Sequence, residues 1–94
     1  MSERKEIYNA KCTKVGELFE IKRKIISKGS RESFIAERSD TLFNGNDWIS
    51  SRYLSSVERG KNLPSIEMLI KLAIALETDP VELFENIYTI LSNK

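Results

Sequence analysis

The chain has 94 residues, a length that predicts one compact domain. Hydrophobic residues make up 40% of it and charged residues 31%, with only 4 glycines and 2 prolines, which is typical of a globular, helix-rich protein. A single cysteine excludes an intrachain disulfide, and the lack of histidine excludes the usual zinc ligand sets and the commonest general base. We therefore predict no metal, no cofactor and no enzymatic activity.

The net charge of +1 hides an asymmetry along the chain. Residues 1–61 carry a surplus of four positive charges, whereas residues 62–94 carry a surplus of three negative charges. This pattern predicts one basic side and one acidic side rather than a polycationic coat. The sequence has no apolar run long enough to cross a membrane and begins with a polar segment, so we expect a soluble, cytoplasmic protein without membrane contacts.

Helical periodicity predicts a first helix over residues 15–28, with Gly29 at its end. Its predicted apolar stripe contains Val15, Leu18, Phe19, Ile21, Ile25 and Ile26. Lys22 falls within the stripe, so we expect its amine to reach solvent or to meet a buried carboxylate. Before this helix, the polar terminus is expected to be frayed and solvated.

Ser30 is a predicted N-cap for a short second helix over residues 31–38, which would bury Phe34, Ile35 and Ala36. Residues 39–49 are predicted to form a loop, with a turn at Asn44-Gly45 and room for a small hairpin.

Three further helices are predicted in the second half of the chain. Ser50 would cap a third helix over residues 51–59 that ends at Gly60, and Ser65 would cap a fourth over residues 66–77. The predicted apolar face of the fourth helix contains Ile66, Leu69, Ile70, Ala73 and Ile74. Asp79 and Pro80 indicate the start of a fifth helix that runs to about residue 91, so we predict an all-α fold with five helices.

The second half of the sequence also resembles the repressor and Cro-type helix-turn-helix family. The resemblance depends on the third helix, the Glu58-Arg59-Gly60-Lys61 turn, the Leu63-Pro64-Ser65 break and the Pro80-Val81-Glu82-Leu83-Phe84 start of the last helix. It implies a five-helix, lambda-repressor-like domain with an enlarged loop between helices 2 and 3. Residues 15–77 would form the DNA-binding part, preceded by segment 1–14 and followed by a dimerisation helix over residues 78–94.

This resemblance implies a set of DNA contacts. The base contacts would come from Ser51, Arg52, Ser55 and Ser56, with Arg52 placed for a bidentate contact to guanine. The contacts to the DNA backbone would come from Arg31, Ser33, Arg59, Lys61 and Asn62. Alternatively, the serines and Arg52 form an ordinary solvated helix face. The basic residues Arg4, Lys5, Lys11 and Lys14 are further candidates for backbone contacts.

The sequence departs from the family pattern at three places. Glu32 stands where the family commonly has a glutamine bound to a phosphate, so Arg31 or Ser33 would have to replace that contact. The family buries an arginine of the first helix against the glutamate equivalent to Glu58, but the ungapped match places Ile25 there, and we expect Lys22, or next Arg23, to be the partner.

The third departure is a loop about eight residues longer than the family's tight turn. Its aromatic residues, Phe43 and Trp48, are expected to plug the edge of the core and to set the angle between helices 2 and 3. The alternative is that the loop contacts DNA or a neighbouring subunit.

The fifth helix carries two apolar stripes, one for the core of the domain and one for a second copy, so we predict a homodimer. The alternative is a monomer in which the whole helix packs on its own core. Its predicted interface residues are Leu83, Ile87, Tyr88, Ile90 and Leu91. We therefore expect a transcriptional regulator that binds an inverted repeat in double-stranded DNA. It is most similar to the activating and repressing controller proteins of restriction-modification systems, with RNA polymerase as a further candidate partner. The alternatives are a Cro-like phage repressor, an antitoxin, or a protein-interaction module that has lost operator binding.

Overall fold

A computed structural model describes the backbone of residues 2–93 and the side chains of residues 6–93. Within residues 2–93, five α-helices follow one another: α1 (Ser2–Ile26), α2 (Arg31–Leu42), α3 (Ser51–Glu58), α4 (Ile66–Ala75) and α5 (Pro80–Ser92). The described residues contain no β-strand. The prediction of an all-α fold with five helices is thereby confirmed. The side chains of Arg4 and Lys5, two candidate backbone contacts, lie outside the described residues.

The starts of α2 to α5 are set by local capping. The hydroxyls of Ser30, Ser50 and Ser65 each accept a hydrogen bond from the backbone N–H three residues later, as predicted. Asp79 accepts from the Val81 N–H, and Pro80 occupies the first turn of α5. Each cap contributes about 1 kcal/mol because it satisfies an N–H group that has no partner within the helix.

The first helix is longer than predicted and uses a narrower apolar stripe. It begins at Ser2 instead of residue 15, so the expectation of a frayed terminus is wrong for residues 2–14. Val15 and Phe19 are buried against the rest of the domain, but Ile21 and Ile25 are exposed, contrary to prediction. α1 ends at Ile26, three residues before Gly29, and its inner face is the one that contacts α3 and α5.

The second helix absorbs part of the predicted loop. It continues to Leu42, and within it Phe34 is buried while Ala36 is exposed. The predicted turn at Asn44-Gly45 is present, since both residues have positive φ angles of 56° and 78°. Residues 43–50 contain no hairpin. The insertion is therefore an extra helical turn followed by a short loop.

The core is built around large side chains from all five helices, namely Phe19, Phe34, Leu54, Leu72 and Leu83, which are fully buried. The apolar face of α4 differs from the prediction. Leu69 and Ala73 are buried as expected, but Ile66, Ile70 and Ile74 are exposed. The core instead takes Leu72, Ala75 and Leu76, because α4 is rotated relative to the predicted stripe.

The fifth helix packs on α1 and α4. None of the described helices is long and apolar enough to cross a membrane.

Candidate nucleic-acid interface

The third helix has the amphipathic arrangement that a recognition helix needs. Leu54, Val57 and Glu58 are buried against the domain, whereas Arg52 is exposed. Three serines at the predicted base-contact positions are half-buried: Ser51, Ser55 and Ser56. A helix that enters the major groove needs small polar and basic side chains on its outer face. The outer face of α3 therefore has suitable chemistry for contacts with base edges.

The C-terminal end of α3 carries exposed cations. Gly60 adopts a positive φ of 74°, and the N–H groups of Gly60 and Lys61 donate hydrogen bonds to the carbonyl oxygens of Val57 and Ser56 at 3.0 and 2.9 Å. This Gly-terminated helix end turns the chain sharply. Arg59, Lys61 and Asn62 are all exposed at the turn. Two positive charges and an amide at one place form a surface that can bind phosphate oxygens.

A buried ion cluster holds α3 against α1 and α2. Arg23 donates to both carboxylate oxygens of Glu58, with Nε–Oε2 and Nη2–Oε1 distances of 2.6 and 3.0 Å. Arg31 donates from Nε to Oε1 of the same carboxylate at 2.7 Å. The hydrogen bonds from Arg23 to Glu58 raise the pKa of the arginine above its ordinary value. The expectation that Lys22 is the main partner of Glu58 is therefore wrong, because Arg23 lies on the inner face of α1.

Arg31 is only half-buried, but its guanidinium is already engaged within the domain. Besides Glu58, it lies 3.7 Å from the carboxylate of Glu20 on α1. As a candidate for phosphate binding, Arg31 thus has competing internal partners. Ser33, the other candidate at this end of α2, is exposed, and its backbone N–H is bound by Ser30.

Two glycines allow the backbone of α1 to pack directly against the backbone at the end of α3, because neither glycine has a side chain that would separate them. A Cβ added to Gly16 would lie 2.4 Å from the Glu58 carbonyl oxygen and 2.7 Å from the Gly60 nitrogen. A Cβ added to Gly60 would lie 2.6 Å from the Cα of Thr13. Sequence reasoning missed Gly16, although a glycine inside a helical pattern is a recognised signal of close backbone approach.

The aromatic residues of the inserted segment pack on α2. Trp48 is buried, stacks on Phe43 with a centroid distance of 4.8 Å, and meets the edge of Phe34 at 6.1 Å. Its Nε1–H also donates to the Ile35 carbonyl oxygen on α2 at 3.1 Å. These contacts confirm the prediction that Trp48 plugs the edge of the core.

At the opposite end of α3 from the cations lies a carboxylate. The Ser51 hydroxyl donates to Oε2 of Glu32 at 2.9 Å, which joins the first turn of α2 to the first turn of α3. Hydrogen bonds from the backbone N–H of Glu32 itself and from Ser51 hold the pKa of Glu32 below its ordinary value. The group is therefore ionised at neutral pH and adds a negative charge beside the proposed recognition surface.

Comparison with known families agrees with this geometry. Residues 46–83 match the helix-turn-helix family model. The matched segment runs from the end of the loop through α3 and α4 to the first turn of α5. The match supports a repressor-type helix-turn-helix domain and suggests a DNA-binding transcriptional regulator. Neither a curated protein nor a solved structure matches the chain.

Proposed function

We propose that the protein is a sequence-specific transcriptional regulator that binds an inverted-repeat operator as a homodimer, with α3 in the major groove. The polar outer face of α3, with Arg52 exposed and three half-buried serines beside it, is the observation that carries this proposal. The Glu58 ion cluster and the close approach of Gly16 hold the helix against α1 and α2, which sets the orientation of its outer face. The major groove of DNA accepts a helix with small polar and basic side chains on its outer face.

Within this surface, Arg52 and the cationic end of α3 have different proposed roles. Arg52 would read a base, since a guanidinium can donate two parallel hydrogen bonds to guanine O6 and N7. Ser55 and Ser56 would give shorter base contacts, and Ser51 is engaged with Glu32. Arg59, Lys61 and Asn62 would hold the phosphate backbone and contribute affinity without sequence preference.

The proposed homodimer uses a different set of residues from the one predicted. Leu83 is 0% exposed and Ile87 is buried too, so both belong to the core of their own chain and not to an interface. Ile90 and Leu91 are partly buried against the same core. Tyr88 remains exposed and lies on the outer side of α5.

The exposed apolar residues of α4 and α5 support a second copy as the partner. An apolar depression on this side is lined by Ile66, Leu69, Ile70, Pro80, Val81 and Phe84. Ile66 is 75% exposed, and Val81, Phe84 and Tyr88 are each more than half exposed. Contiguous apolar patches of this kind commonly mark protein contacts, and an inverted-repeat site requires a two-fold symmetric reader.

The homodimer is tested by sedimentation of Phe84→Ser against a control, Ile25→Ser. Both changes replace an exposed apolar side chain by serine, but Ile25 lies on the outer face of α1. We expect the wild type and Ile25→Ser to sediment as dimers and Phe84→Ser to dissociate toward monomers. A monomeric wild type, or a dimer that is indifferent to Phe84→Ser, would contradict this interface.

DNA recognition is tested by selecting duplexes from a random pool with the purified protein at about 0.15 M salt, and then by titrating variants. Enrichment of an inverted repeat is the expected result. Arg52→Ala should lose about 1–3 kcal/mol of discrimination at one base pair, whereas Lys61→Ala should weaken binding to all sequences and make the salt dependence shallower. Retention of no sequence would favour a protein-interaction module, an alternative with which Glu32 at the recognition surface is consistent.

Among regulators of this kind, we propose a restriction-modification controller that activates and represses transcription, with RNA polymerase as the partner in the activating complex. The support is the resemblance at the Glu58-Arg59-Gly60-Lys61 turn together with the apolar outer side of α5. Adjacent methyltransferase and endonuclease genes would agree with this role. An adjacent toxin gene or a phage lysogeny region would favour an antitoxin or a Cro-like repressor.

A further inference from the structure

The first turn of α2 carries the carboxylate of Glu32, at a position where a helix can bind an anion such as a DNA phosphate. The first N–H groups of a helix and its dipole favour a negative charge. Here the Glu32 carboxylate accepts a hydrogen bond from the Ser51 hydroxyl, and the N–H of Ser33 donates to the Ser30 hydroxyl. A negative charge and an occupied N–H group therefore stand where a DNA phosphate would otherwise bind.

The surroundings of Glu32 add to its negative charge. A depression between α2, the inserted loop and the start of α3 is lined by the carboxylates of Glu32, Asp40 and Asp47, and by no lysine or arginine among the described residues that form it. The positive charge of Arg31, the neighbour of Glu32 in sequence, helps to lower the pKa of Glu32, but its guanidinium is paired with Glu58 and Glu20. The carboxylates thus face solvent without a neutralising cation in the depression.

The two ends of α3 consequently differ in charge. Arg59 and Lys61 lie at its C-terminal end, while the acidic depression lies beside Ser51 at its N-terminal end. A duplex carries a phosphate charge about every 1.7 Å of its axis, and charges act over about 8 Å at physiological salt. Arg59 and Lys61 would attract the DNA backbone at one end of α3, whereas a backbone that passes the start of α2 would meet the acidic depression. Arg52 lies in the first turn of α3, but its proposed contact is to a base and not to the backbone.

We propose that Glu32 acts as a positioning residue for the duplex: it excludes a phosphate from the start of α2 and leaves the Arg59–Lys61 end of α3 as the main anchor of the DNA backbone. This inference rests on the proposed DNA-binding function. It replaces the expectation that Arg31 or Ser33 takes over a phosphate contact at α2. It also explains why a carboxylate can stand at the edge of a DNA-binding surface, since the backbone passes that edge without a contact.

The test compares Glu32→Gln with Glu85→Gln in DNA titrations. Both variants remove one negative charge from an exposed glutamate, but Glu85 lies on α5, which packs on α1 and α4. The probes are the selected operator duplex and a mixed-sequence duplex of the same length, each titrated at several salt concentrations. Glu32→Ala, which removes the charge without adding an amide donor, is a second variant, and thermal melting monitors the folding of all three.

We expect Glu32→Gln to bind both duplexes about threefold to tenfold more tightly than the wild type, because a new phosphate contact becomes available. The gain should shrink as the salt concentration rises, because salt screens the repulsion that the substitution removes. Glu32→Ala should show a smaller gain, and Glu85→Gln little change. A gain in affinity cannot arise from unfolding.

Other outcomes separate the inference from the proposed function. If the wild type binds its operator but Glu32→Gln binds no more tightly than Glu85→Gln, the inference is wrong while the DNA-binding function stands. If Glu32→Gln changes the preferred base at one operator position without a general gain, Glu32 reads a base and the inference is again wrong. If neither wild type nor variant retains any duplex, the proposed function fails and the inference fails with it.

Discussion

Replacing Glu58 by glutamine is the most direct test of what holds the recognition helix in place. The Glu58 side chain is 1% exposed and accepts three hydrogen bonds from two arginines, one of which, Arg23, is equally buried. Glutamine keeps the volume and one acceptor oxygen, but it removes the negative charge and turns an N–H₂ group toward a guanidinium. The buried Arg23 would then lose the carboxylate to which it is hydrogen-bonded.

The expected cost is large for a domain of this size. Breaking a buried ion pair by removing one partner costs about 3–5 kcal/mol. A chain of this length has a total stability of roughly 5–14 kcal/mol, so Glu58→Gln should remove a substantial fraction of it. For a small domain, a loss of about 3 kcal/mol corresponds to a fall in Tm of about 12–24 °C.

The assay is urea denaturation followed by far-ultraviolet circular dichroism, at one fixed protein concentration because dimerisation would add to the apparent stability. Glu67→Gln is a matched control, since Glu67 forms an exposed pair with Lys71 on α4 and its loss should cost less than about 0.5 kcal/mol. A double-mutant cycle then separates the candidate partners. We expect strong coupling of Glu58 to Arg23 and none to Lys22. Two results would refute this account: a loss of unfolding free energy below about 1 kcal/mol in Glu58→Gln, or coupling of Glu58 to Lys22 instead.

Two further predictions concern the supports of α3. Gly16→Ala should destabilise the domain by about 1–3 kcal/mol, because the new Cβ would collide with the Glu58 carbonyl oxygen. Thermal melting measures this loss against Glu17→Ala, which introduces alanine at an exposed position of the same helix. An unchanged Tm of Gly16→Ala would contradict the close approach. Trp48→Ala should cost about 3–5 kcal/mol through lost packing on Phe43 and Phe34, with weaker operator binding at temperatures where the variant is still folded. Chemical denaturation and operator titration check this, and an unaltered operator affinity would show that Trp48 does not set the angle between α2 and α3.

The features that the sequence predicts well are local. The caps at Ser30, Ser50, Ser65 and Asp79 are correct because a cap depends on a side chain and an N–H group two or three residues away. The turn at Asn44-Gly45 is correct for the same reason, since the positive φ angles are a property of those residues.

The sequence predicts the lengths of α1 and α2 less well, since both helices are longer in the structure than the predicted ones. Residues 2–14 and 39–42 are polar segments without a strong apolar stripe, so periodicity gives little sign of a helix there. Each segment continues an adjacent amphipathic helix, and extending an existing helix avoids the cost of nucleation.

The rotation of each helix about its own axis is decided by tertiary packing. Lys22 and Arg23 are neighbours in sequence, and which of them reaches Glu58 depends on the face of α1 that contacts α3. In α4 nearly every position is apolar, so a stripe through Ile66 and Ile70 is as plausible from sequence as the observed one through Leu69 and Leu72. α5 carries two apolar stripes, and only its packing on α1 and α4 assigns Leu83 to the core and Phe84 to the surface.

The sequence by itself therefore determined the helical class, the helix starts and the resemblance that points to DNA, because these depend on residues close together in the chain. The tertiary structure decided which cation meets Glu58, which apolar face stays exposed, and that Glu32 bonds to Ser51 across 19 positions of sequence. These contacts form between helices whose relative rotation and spacing are set by the packing of the whole core. The close approach of the backbone at Gly16 and Gly60 is one of the strictest constraints on that spacing.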